Sequence, residues 1–348
     1  MIKRKKTKQI FVGNVPIGGN ADIAVQSMCN TPTWDVEKTV NQIKELEAAG
    51  CEIIRVAVPD KKSADALKEI KQNISIPLIA DIHFDYRLAL AAIENGVDAL
   101  RINPGNIGKE DFIRQVVEVA RKKHIPIRIG VNSGSLEKEF SHLGKVDAMV
   151  ASALKNVSIL EKYDFDMIKI SLKASDVLTT IEAYEKISEK TDYPLHVGIT
   201  EAGTLKSGLI KSSIGIGALL LKGIGDTIRV SLTAPPKEEV FAAYELLKSL
   251  QLRHRGVNLI SCPTCGRTKI NLIELAHKVE EIVASVDKPL TIAVMGCPVN
   301  GPGEAKGADL GIAGGIGEGY IFKKGEIIKK VPEQQLLEEF KKELSSMI

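Results

Sequence analysis

The stretch that decides the fold is PLIADIHFDYRLALAAIENGVDALRIN, residues 77–103. Its first part, Pro77–Ile82, and its last part, Ala99–Ile102, are short and almost entirely apolar, which predicts strands that are covered on both faces. Between them, Tyr86–Glu94 has the spacing of an amphipathic helix, and Asn95-Gly96 ends it. The stretch therefore predicts a strand–helix–strand unit of a parallel sheet.

The same alternation extends in both directions from this unit. Runs rich in Ile and Val alternate with amphipathic helical runs, and eight of these apolar runs have the length and composition of strands. Eight strands that are each followed by a helix predict an α/β fold, a (β/α)₈ TIM-type barrel, rather than a doubly wound sheet. The predicted strands are Ile23–Met28, Glu52–Val58, Pro77–Ile82, Ala99–Ile102, Pro126–Val131, Met167–Leu172, Leu195–Ile199 and Thr227–Leu232.

The order of elements changes after about residue 255. A strand at Val257–Ser261 and a helix at Ile270–Ala284 precede further β-rich runs and a charged closing helix, Glu333–Leu344. We therefore predict two domains, a barrel over residues 1–254 and a small α+β domain over residues 255–348.

Composition excludes several classes of protein. The chain has 348 residues, 44% of them apolar, and a net charge of +3, which argues against bulk nucleic-acid binding. No apolar run approaches the roughly 20 residues that a membrane span needs. Five cysteines in so long a chain do not indicate a disulfide framework, so a reducing cytoplasm is expected. The basic start of the chain, residues 3–8, predicts a solvated arm and not a secretory signal.

Basic side chains stand in or at the ends of five predicted barrel strands. Functional groups of such barrels gather where strands end and loops begin, and arginine forks match phosphate oxygens. A multiply charged anion, most naturally a diphosphate, is therefore expected at the barrel mouth. The alternative for each single residue is an internal ion pair with a carboxylate. The five residues are Arg55, Arg101, Arg128, Lys169 and Arg229.

Smaller polar residues occupy the same strand ends. Glu201 is a candidate acid or base that faces the cations, or simply their counter-charge. His83 and His196 are either substrate contacts or satisfied core histidines. The remaining polar candidates are Asn103, Asn132, Ser171 and Ser231.

Three cysteines in the second domain follow apolar runs and precede turns. Cys262 and Cys265 form a Cys-x-x-Cys pair, and Cys297 begins a Cys-Pro segment. Thiolates in this arrangement suit an iron–sulfur cluster or zinc. Zinc would take His254 or His277 as its fourth ligand. A [4Fe–4S] cluster would also accept the carboxylate of Glu304, which on spacing alone is slightly better explained as a cap of the following turn.

At these residues the chain resembles a known family, the bacterial two-domain 4-hydroxy-3-methylbut-2-enyl diphosphate synthases of the non-mevalonate isoprenoid pathway. The resemblance covers essentially the whole chain, and no motif position departs from the family pattern. The plant-type middle domain is absent. The motifs are Val25-Gln26-Ser27-Met28, Ala80-Asp81-Ile82-His83-Phe84, Arg101-Ile102-Asn103-Pro104-Gly105-Asn106, Gly130-Val131-Asn132-Ser133-Gly134-Ser135-Leu136, Thr200-Glu201-Ala202-Gly203, Ser261-Cys262-Pro263-Thr264-Cys265-Gly266-Arg267 and Met295-Gly296-Cys297-Pro298-Val299-Asn300-Gly301-Pro302-Gly303-Glu304.

The resemblance implies a reaction and a cofactor. The substrate would be 2-C-methyl-D-erythritol 2,4-cyclodiphosphate, opened by two electrons with loss of a hydroxyl as water. A reduced flavodoxin or ferredoxin would supply the electrons through a [4Fe–4S] cluster. Its ligands would be Cys262, Cys265, Cys297 and Glu304, and the barrel of one subunit would be closed by the cluster domain of the other in a head-to-tail homodimer.

The resemblance also assigns the site residues. The five cations would bind the diphosphate, Glu201 would be the proton donor, and Asn300 would contact the substrate from the cluster domain. The smaller contacts would be His83, Asn103, Asn132, Ser171 and Ser231.

Two other functions remain open. A pterin-type synthase barrel also binds a diphosphate at its mouth and would use the cysteines for structural zinc. A redox or metal-sensing regulator would need a cluster but no set of basic residues at a barrel mouth.

Overall fold

The structure is a computed structural model that describes residues 2–103, 107–134, 136–284, 286–297, 303 and 305–348. Contacts within the chain divide it into two units, Met1–Arg253 and His254–Ile348. None of the helices in the described part of the chain is both long and apolar enough to cross a membrane.

Eight parallel strands close into a barrel in the first unit, which confirms the predicted fold class. Neighbouring strands follow the chain from β3 to β8, β10 pairs with both β3 and β9, and a parallel bridge between Ile170 and Leu195 joins β8 to β9. A short antiparallel hairpin, β1–β2, precedes them. The strands are β1 Ile10–Val12, β2 Val15–Ile17, β3 Ala24–Met28, β4 Ile53–Ala57, β5 Leu78–Asp81, β6 Ala99–Ile102, β7 Ile127–Asn132, β8 Ile168–Lys173, β9 His196–Val197 and β10 Thr227–Ile228.

Helices alternate with the barrel strands and cover their outer face. Several begin at an aspartate, for example Asp60 and Asp176, whose side chain accepts a hydrogen bond from a backbone N–H of the first turn. Such caps fix where a helix starts and therefore how long the loop before it is. The helices are α1 Val36–Ala48, α2 Lys61–Gln72, α3 Tyr86–Glu94, α4 Glu110–Lys122, α5 Lys145–Glu161, α6 Val177–Lys190, α7 Leu205–Leu221 and α8 Pro236–Ser249, with a 3₁₀ turn at Lys138–Phe140.

The β1–β2 hairpin packs against the amino-terminal end of the barrel interior. Its Ile10, Val12 and Ile17 form one apolar cluster with small and branched residues of β3 to β6 such as Ala24 and Ile53. An apolar floor of this kind leaves the opposite end of the barrel for polar side chains.

The basic start of the chain is not the solvated arm that its composition predicts. The Thr7 hydroxyl donates to Asp226 Oδ1 at 2.9 Å, Arg4 Nη2 lies 3.2 Å from the same oxygen, and the Lys5 backbone N–H donates to Gly223 O. Asp226 is itself buried, so the arm supplies partners that this carboxylate needs. The expectation was wrong because composition does not show a buried acid elsewhere in the chain.

The second unit is an α+β domain with its own apolar core. Its five-stranded sheet has the order β11-β12-β13-β14-β15, parallel for the first three strands and antiparallel afterwards. The strands are β11 Asn258–Ser261, β12 Thr291–Met295, β13 Leu310–Gly314, β14 Glu318–Lys323 and β15 Glu326–Pro332, and the helices are α9 Leu272–Val283 and α10 Leu336–Ser345, the latter after a 3₁₀ turn at Glu333–Gln335.

Candidate active site

Strand register brings three of the predicted cations side by side. Arg101 on β6 pairs with Arg128 on β7, and Arg128 pairs with Lys169 on β8. Register neighbours on parallel strands point to the same face of a sheet. All three side chains are buried in the barrel.

Asp81, at the end of β5, is a buried carboxylate among these cations. Its Oδ1 accepts a hydrogen bond from Arg101 Nη1 at 3.2 Å, and its Oδ2 lies 3.6 Å from Arg55 Nε and 3.7 Å from His83 Nε2. Burial by itself raises the pKa of Asp81, but Arg55, His83 and Arg101 hold that pKa well below its usual range. Asp81 is therefore ionised and holds two of the guanidinium groups in place.

Arg229 has a different counter-charge, Glu239 on the first turn of α8. Glu239 Oε2 lies 3.4 Å from Arg229 Nη2, while its Oε1 accepts the Leu232 backbone N–H at 2.9 Å. Met28 Sδ, at the end of β3, accepts from Arg55 Nη2 at 2.8 Å and lies 3.6 Å from Arg229 Nη1. Glu239 and Met28 were not among the predicted site residues; Met28 lies in a motif quoted for the resemblance.

The arginine and lysine donors exceed the acceptors that the described residues provide. Arg128 is 2% exposed, yet its Nε and Nη1 atoms have no hydrogen-bond partner in this part of the chain, nor has Lys169 Nζ. Buried charged groups without partners are expensive and in native proteins are paired with another group or a ligand. The internal ion-pair alternative thus explains Arg55, Arg101 and Arg229 in part, and it does not explain Arg128 or Lys169.

Lys173 is a site residue that the sequence analysis missed. It is the last residue of β8, two positions after Ser171 and four after Lys169, so the three share the inner face of the strand. Glycine makes room for this charge, because a Cβ on Gly198 would lie 3.2 Å from Lys173 Nζ. The predicted strand ended one residue earlier, at Leu172; its every-second-residue polar pattern was the signal that could have revealed Lys173.

The smaller predicted residues lie at the carboxyl ends of the same strands. His83 Nε2 is 3.4 Å from Arg101 Nη1, and its side chain is about half exposed. Ser171 Oγ donates to Ile129 O at 3.4 Å. Asn103 is buried, while Asn132 and Ser231 are half-buried.

His196 lies deeper in the barrel. Its side chain is fully buried, with Nδ1 2.7 Å from Thr227 Oγ1, and burial together with nearby cations holds its pKa well below the usual range. The imidazole is therefore neutral, and its environment favours the core interpretation over a substrate contact.

Glu201 lies in the loop after β9 and is exposed. Its φ of 53° is in the left-handed region, which non-glycine residues seldom adopt and which is found more often at functional sites. Gly203, two residues later, also has a positive φ, 116°. The loop therefore holds Glu201 in an unusual backbone conformation.

Two of the three cysteines follow adjacent parallel strands of the second unit. Cys262 follows β11 and Cys297 lies two residues after β12, and the Gly296 backbone N–H donates to Cys262 Sγ at 3.2 Å. Cys265 is exposed, and hydrogen bonds from Arg267 lower the pKa of its thiol. The lowered pKa of Cys265 favours the thiolate, the form that metal clusters require as a ligand.

The other predicted ligands do not join them in the described residues. No three His, Cys, Asp or Glu side chains in that part of the chain are grouped to hold a metal ion, so neither His254 nor His277 completes a zinc site there. Asn300 and Glu304, the other two residues predicted for the second domain, fall outside the described residues.

Comparisons with known proteins match both units. The family model of the GcpE TIM-barrel domain matches residues 7–244, and that of the GcpE protein C-terminal domain matches residues 258–346. A protein of Caldanaerobacter subterraneus subsp. tengcongensis is 63% identical over 100% of this chain and 99% of its own length. One of Dehalococcoides mccartyi is 57% identical over 100% of both chains. Both are named 4-hydroxy-3-methylbut-2-en-1-yl diphosphate synthase (flavodoxin).

Solved structures resemble this chain mainly over a barrel-sized part. A dihydropteroate synthase of Stenotrophomonas maltophilia covers 70% of this chain with a TM-score of 0.54 and 14% identity. An N-acetylneuraminic acid synthetase of Leptospira borgpetersenii covers 80% with a TM-score of 0.52, also at 14% identity. Likeness at this level of identity shows a shared fold and nothing about the reaction.

Proposed function

Since this chain belongs to the GcpE family, we propose that it acts as a 4-hydroxy-3-methylbut-2-enyl diphosphate synthase of isoprenoid precursor biosynthesis. Its substrate in this proposal is 2-C-methyl-D-erythritol 2,4-cyclodiphosphate, which is reduced by two electrons and loses one hydroxyl as water. The observation that carries the proposal is the excess of buried cationic donors at the barrel mouth. Relatives that match the full chain are named for a diphosphate product, which fits such a site.

The basic residues bind the diphosphate. Arg128 and Lys169 offer donors without partners in the described residues, and Arg55, Arg101 and Arg229 are oriented by Asp81 and Glu239. Guanidinium forks held in this way meet phosphate oxygens without further rearrangement, which lowers the entropic cost of binding. We add Lys173 to this set because it lies on the same face of β8.

The smaller polar residues orient the rest of the substrate. Glu201 donates the proton with which the hydroxyl leaves as water, because a poor leaving group needs protonation as its bond breaks. Asn300 contacts the substrate from the second domain. The other contacts are His83, Asn103, Asn132, Ser171 and Ser231.

The second unit holds the redox cofactor. Its residues fit an iron–sulfur group: Gly296 N–H supports Cys262 Sγ, and Arg267 stabilises the Cys265 thiolate. Cys262, Cys265, Cys297 and Glu304 would hold a [4Fe–4S] cluster, which supplies single electrons when bound. A flavodoxin, as the relatives' names indicate, or a ferredoxin delivers those electrons.

The working unit in this proposal is a cytoplasmic head-to-tail homodimer. The barrel mouth of each subunit is then covered by the second domain of its partner, which excludes water from the charged site. Exclusion of water strengthens every charge interaction with the diphosphate.

An anaerobic assay tests the proposal. Purified protein with its iron and sulfide, the cyclodiphosphate and a chemical reductant are combined, and the product is followed by phosphorus NMR. We expect 4-hydroxy-3-methylbut-2-enyl diphosphate in the presence of reductant and none in its absence. Absence of that product from iron-loaded, reduced protein would refute the proposal. A pterin-type synthase is not favoured, since the likeness to dihydropteroate synthases is one of fold alone.

A further inference from the structure

The barrel interior carries more positive charge than its ion pairs neutralise. In the described part of the chain, the basic side chains inside the barrel form ion pairs only with Asp81 and Glu239. Arginine keeps its proton in proteins, whereas a buried lysine can lose it. The two lysines of β8 are therefore the groups through which this charge can be relieved. The basic side chains are Arg55, Arg101, Arg128, Lys169, Lys173 and Arg229.

Lys169 lies where the surroundings stabilise a charged ammonium group poorly. It is 2% exposed, its Nζ has no hydrogen-bond partner in the described residues, and its register neighbour is Arg128. Asp226 attracts it, but that carboxylate already accepts bonds from the Thr7 hydroxyl and the Leu195 backbone N–H. Burial and the charge of Arg128 lower the pKa of Lys169 to about 7.

Lys173 is surrounded by like charges. It is buried at the end of β8, and burial together with Arg229, Arg55, Arg128 and Arg101 holds its pKa well below the usual range. The titratable and charged groups that face the two lysines come from every part of the wall. Those that act on the lysines directly are Arg55 of β4, Arg101 of β6, Arg128 of β7, His196 of β9, and Arg229 and Asp226 at β10. Asp81 of β5 and Glu239 of α8 pair with the neighbouring arginines, and Tyr184 of α6 interacts with Arg128.

We propose that, above neutral pH, Lys169 and Lys173 are largely deprotonated while the barrel mouth is empty and take up protons when a polyanion binds there. This inference rests on the proposed function, because it needs a diphosphate at the mouth. Each phosphorus of a cyclic diphosphate has one ester and one anhydride linkage and carries a single negative charge, so the ligand itself does not titrate near neutral pH. Two negative charges brought among the cations favour the protonated form of both amines.

Proton uptake on binding makes the affinity for the cyclodiphosphate fall as the pH rises. As the pH rises, the free barrel holds fewer protons while the loaded barrel keeps them, so binding must take up more protons from solution. Affinity for the cyclodiphosphate then falls by up to about tenfold per pH unit for each proton that is taken up. A site lined by permanently charged cations alone would show no such fall.

Calorimetry counts these protons directly. The iron-loaded, oxidised protein is titrated anaerobically with the cyclodiphosphate at pH 8 in Tris, HEPES and bicine, whose heats of ionisation differ. The slope of binding heat against ionisation heat gives the number of protons taken up. We expect between one and two at pH 8, and a smaller number at pH 6, where Lys169 is already protonated before the ligand binds.

Variants assign the protons to residues. Lys169→Met and Lys173→Met should each take up about one proton fewer than wild type, and Lys211→Met, on the exposed face of α7, should match wild type. Lys169→Arg should lose the same proton while keeping the positive charge. Zero uptake, or an uptake that is undiminished in either methionine variant, overturns this inference alone. Failure of the cyclodiphosphate to bind overturns it together with the proposed function.

Discussion

Arg128 is a buried cation for which the described part of the chain offers little compensation. Its guanidinium is buried at the centre of the β6–β8 register, and two of its nitrogens have no acceptor in the described residues. An unsatisfied buried donor costs about 1–3 kcal/mol, and more when it is charged. This residue therefore lowers the stability of the free protein, and in the proposed function it contributes affinity for the diphosphate.

Replacement of Arg128 tests whether this residue lowers stability while it raises affinity for the ligand. Arg128→Met should lower kcat/KM about 10- to 100-fold, since a charge-assisted hydrogen bond is worth about 1.5–3 kcal/mol. The melting temperature of the substrate-free variant should equal or exceed that of wild type, because the uncompensated charge is gone. Arg114→Met, on the exposed face of α4, is the control and should change neither quantity. A variant with lower stability and unchanged kinetics would assign Arg128 a structural role.

Some site residues could not be predicted from the sequence, because they reach the site only through the way the loops fold. The strand-end rule located Arg55, Arg101 and Arg229 because their neighbours are apolar and define the strands. Glu239 could not be found in this way, since it lies on a helix and returns to Arg229 only when the loop after β10 folds back. The roles of Glu304 and Asn300 stay predictions.

At the scale of elements, long apolar runs were predicted well and short ones were missed. β4 to β8 begin and end within one residue of their predicted bounds, because apolar residues recur at least at every second position of each strand, between polar loops. The β1–β2 hairpin was not predicted, because its strands have only three residues each and Pro16 lies within the second. Its packing against the barrel floor is a tertiary effect that no local pattern shows.

The arm beside this hairpin yields a prediction about stability. Arg4→Met removes a cationic partner of buried Asp226 and leaves its carboxylate less satisfied, so we expect the free energy of unfolding to fall by about 1–3 kcal/mol. Lys6→Met is the matched control, because Lys6 is exposed, and it should stay within about 0.5 kcal/mol of wild type. Denaturant unfolding measures both. Equal stabilities would restore the solvated-arm interpretation.

At the scale of the whole molecule, the change from alternating to mixed element order revealed the second unit. The two units have separate apolar cores, one built around the eight-stranded barrel and one around the five-stranded sheet. Damage confined to one core therefore leaves the packing of the other intact.

The cysteines of the second unit test this separation. Cys297→Ser should lose iron and sulfide, because thiolate is the stronger ligand for these clusters, while the barrel keeps its unfolding transition. Cys51→Ser is the control: its thiol is buried in the barrel and donates to Ile53 O, as a serine hydroxyl would, so iron content should not change. Full iron retention in Cys297→Ser would remove this residue from the ligand set.

The order in which the barrel strands join has a consequence for synthesis of the chain. β3 acquires its second neighbour only from β10, so Ala24 waits for Thr227, about 200 residues later. At about 5–20 residues per second the ribosome needs roughly 10 to 40 seconds for that interval. During this time the edge of β3 is open, and its unpaired backbone groups can bind the strands of other chains.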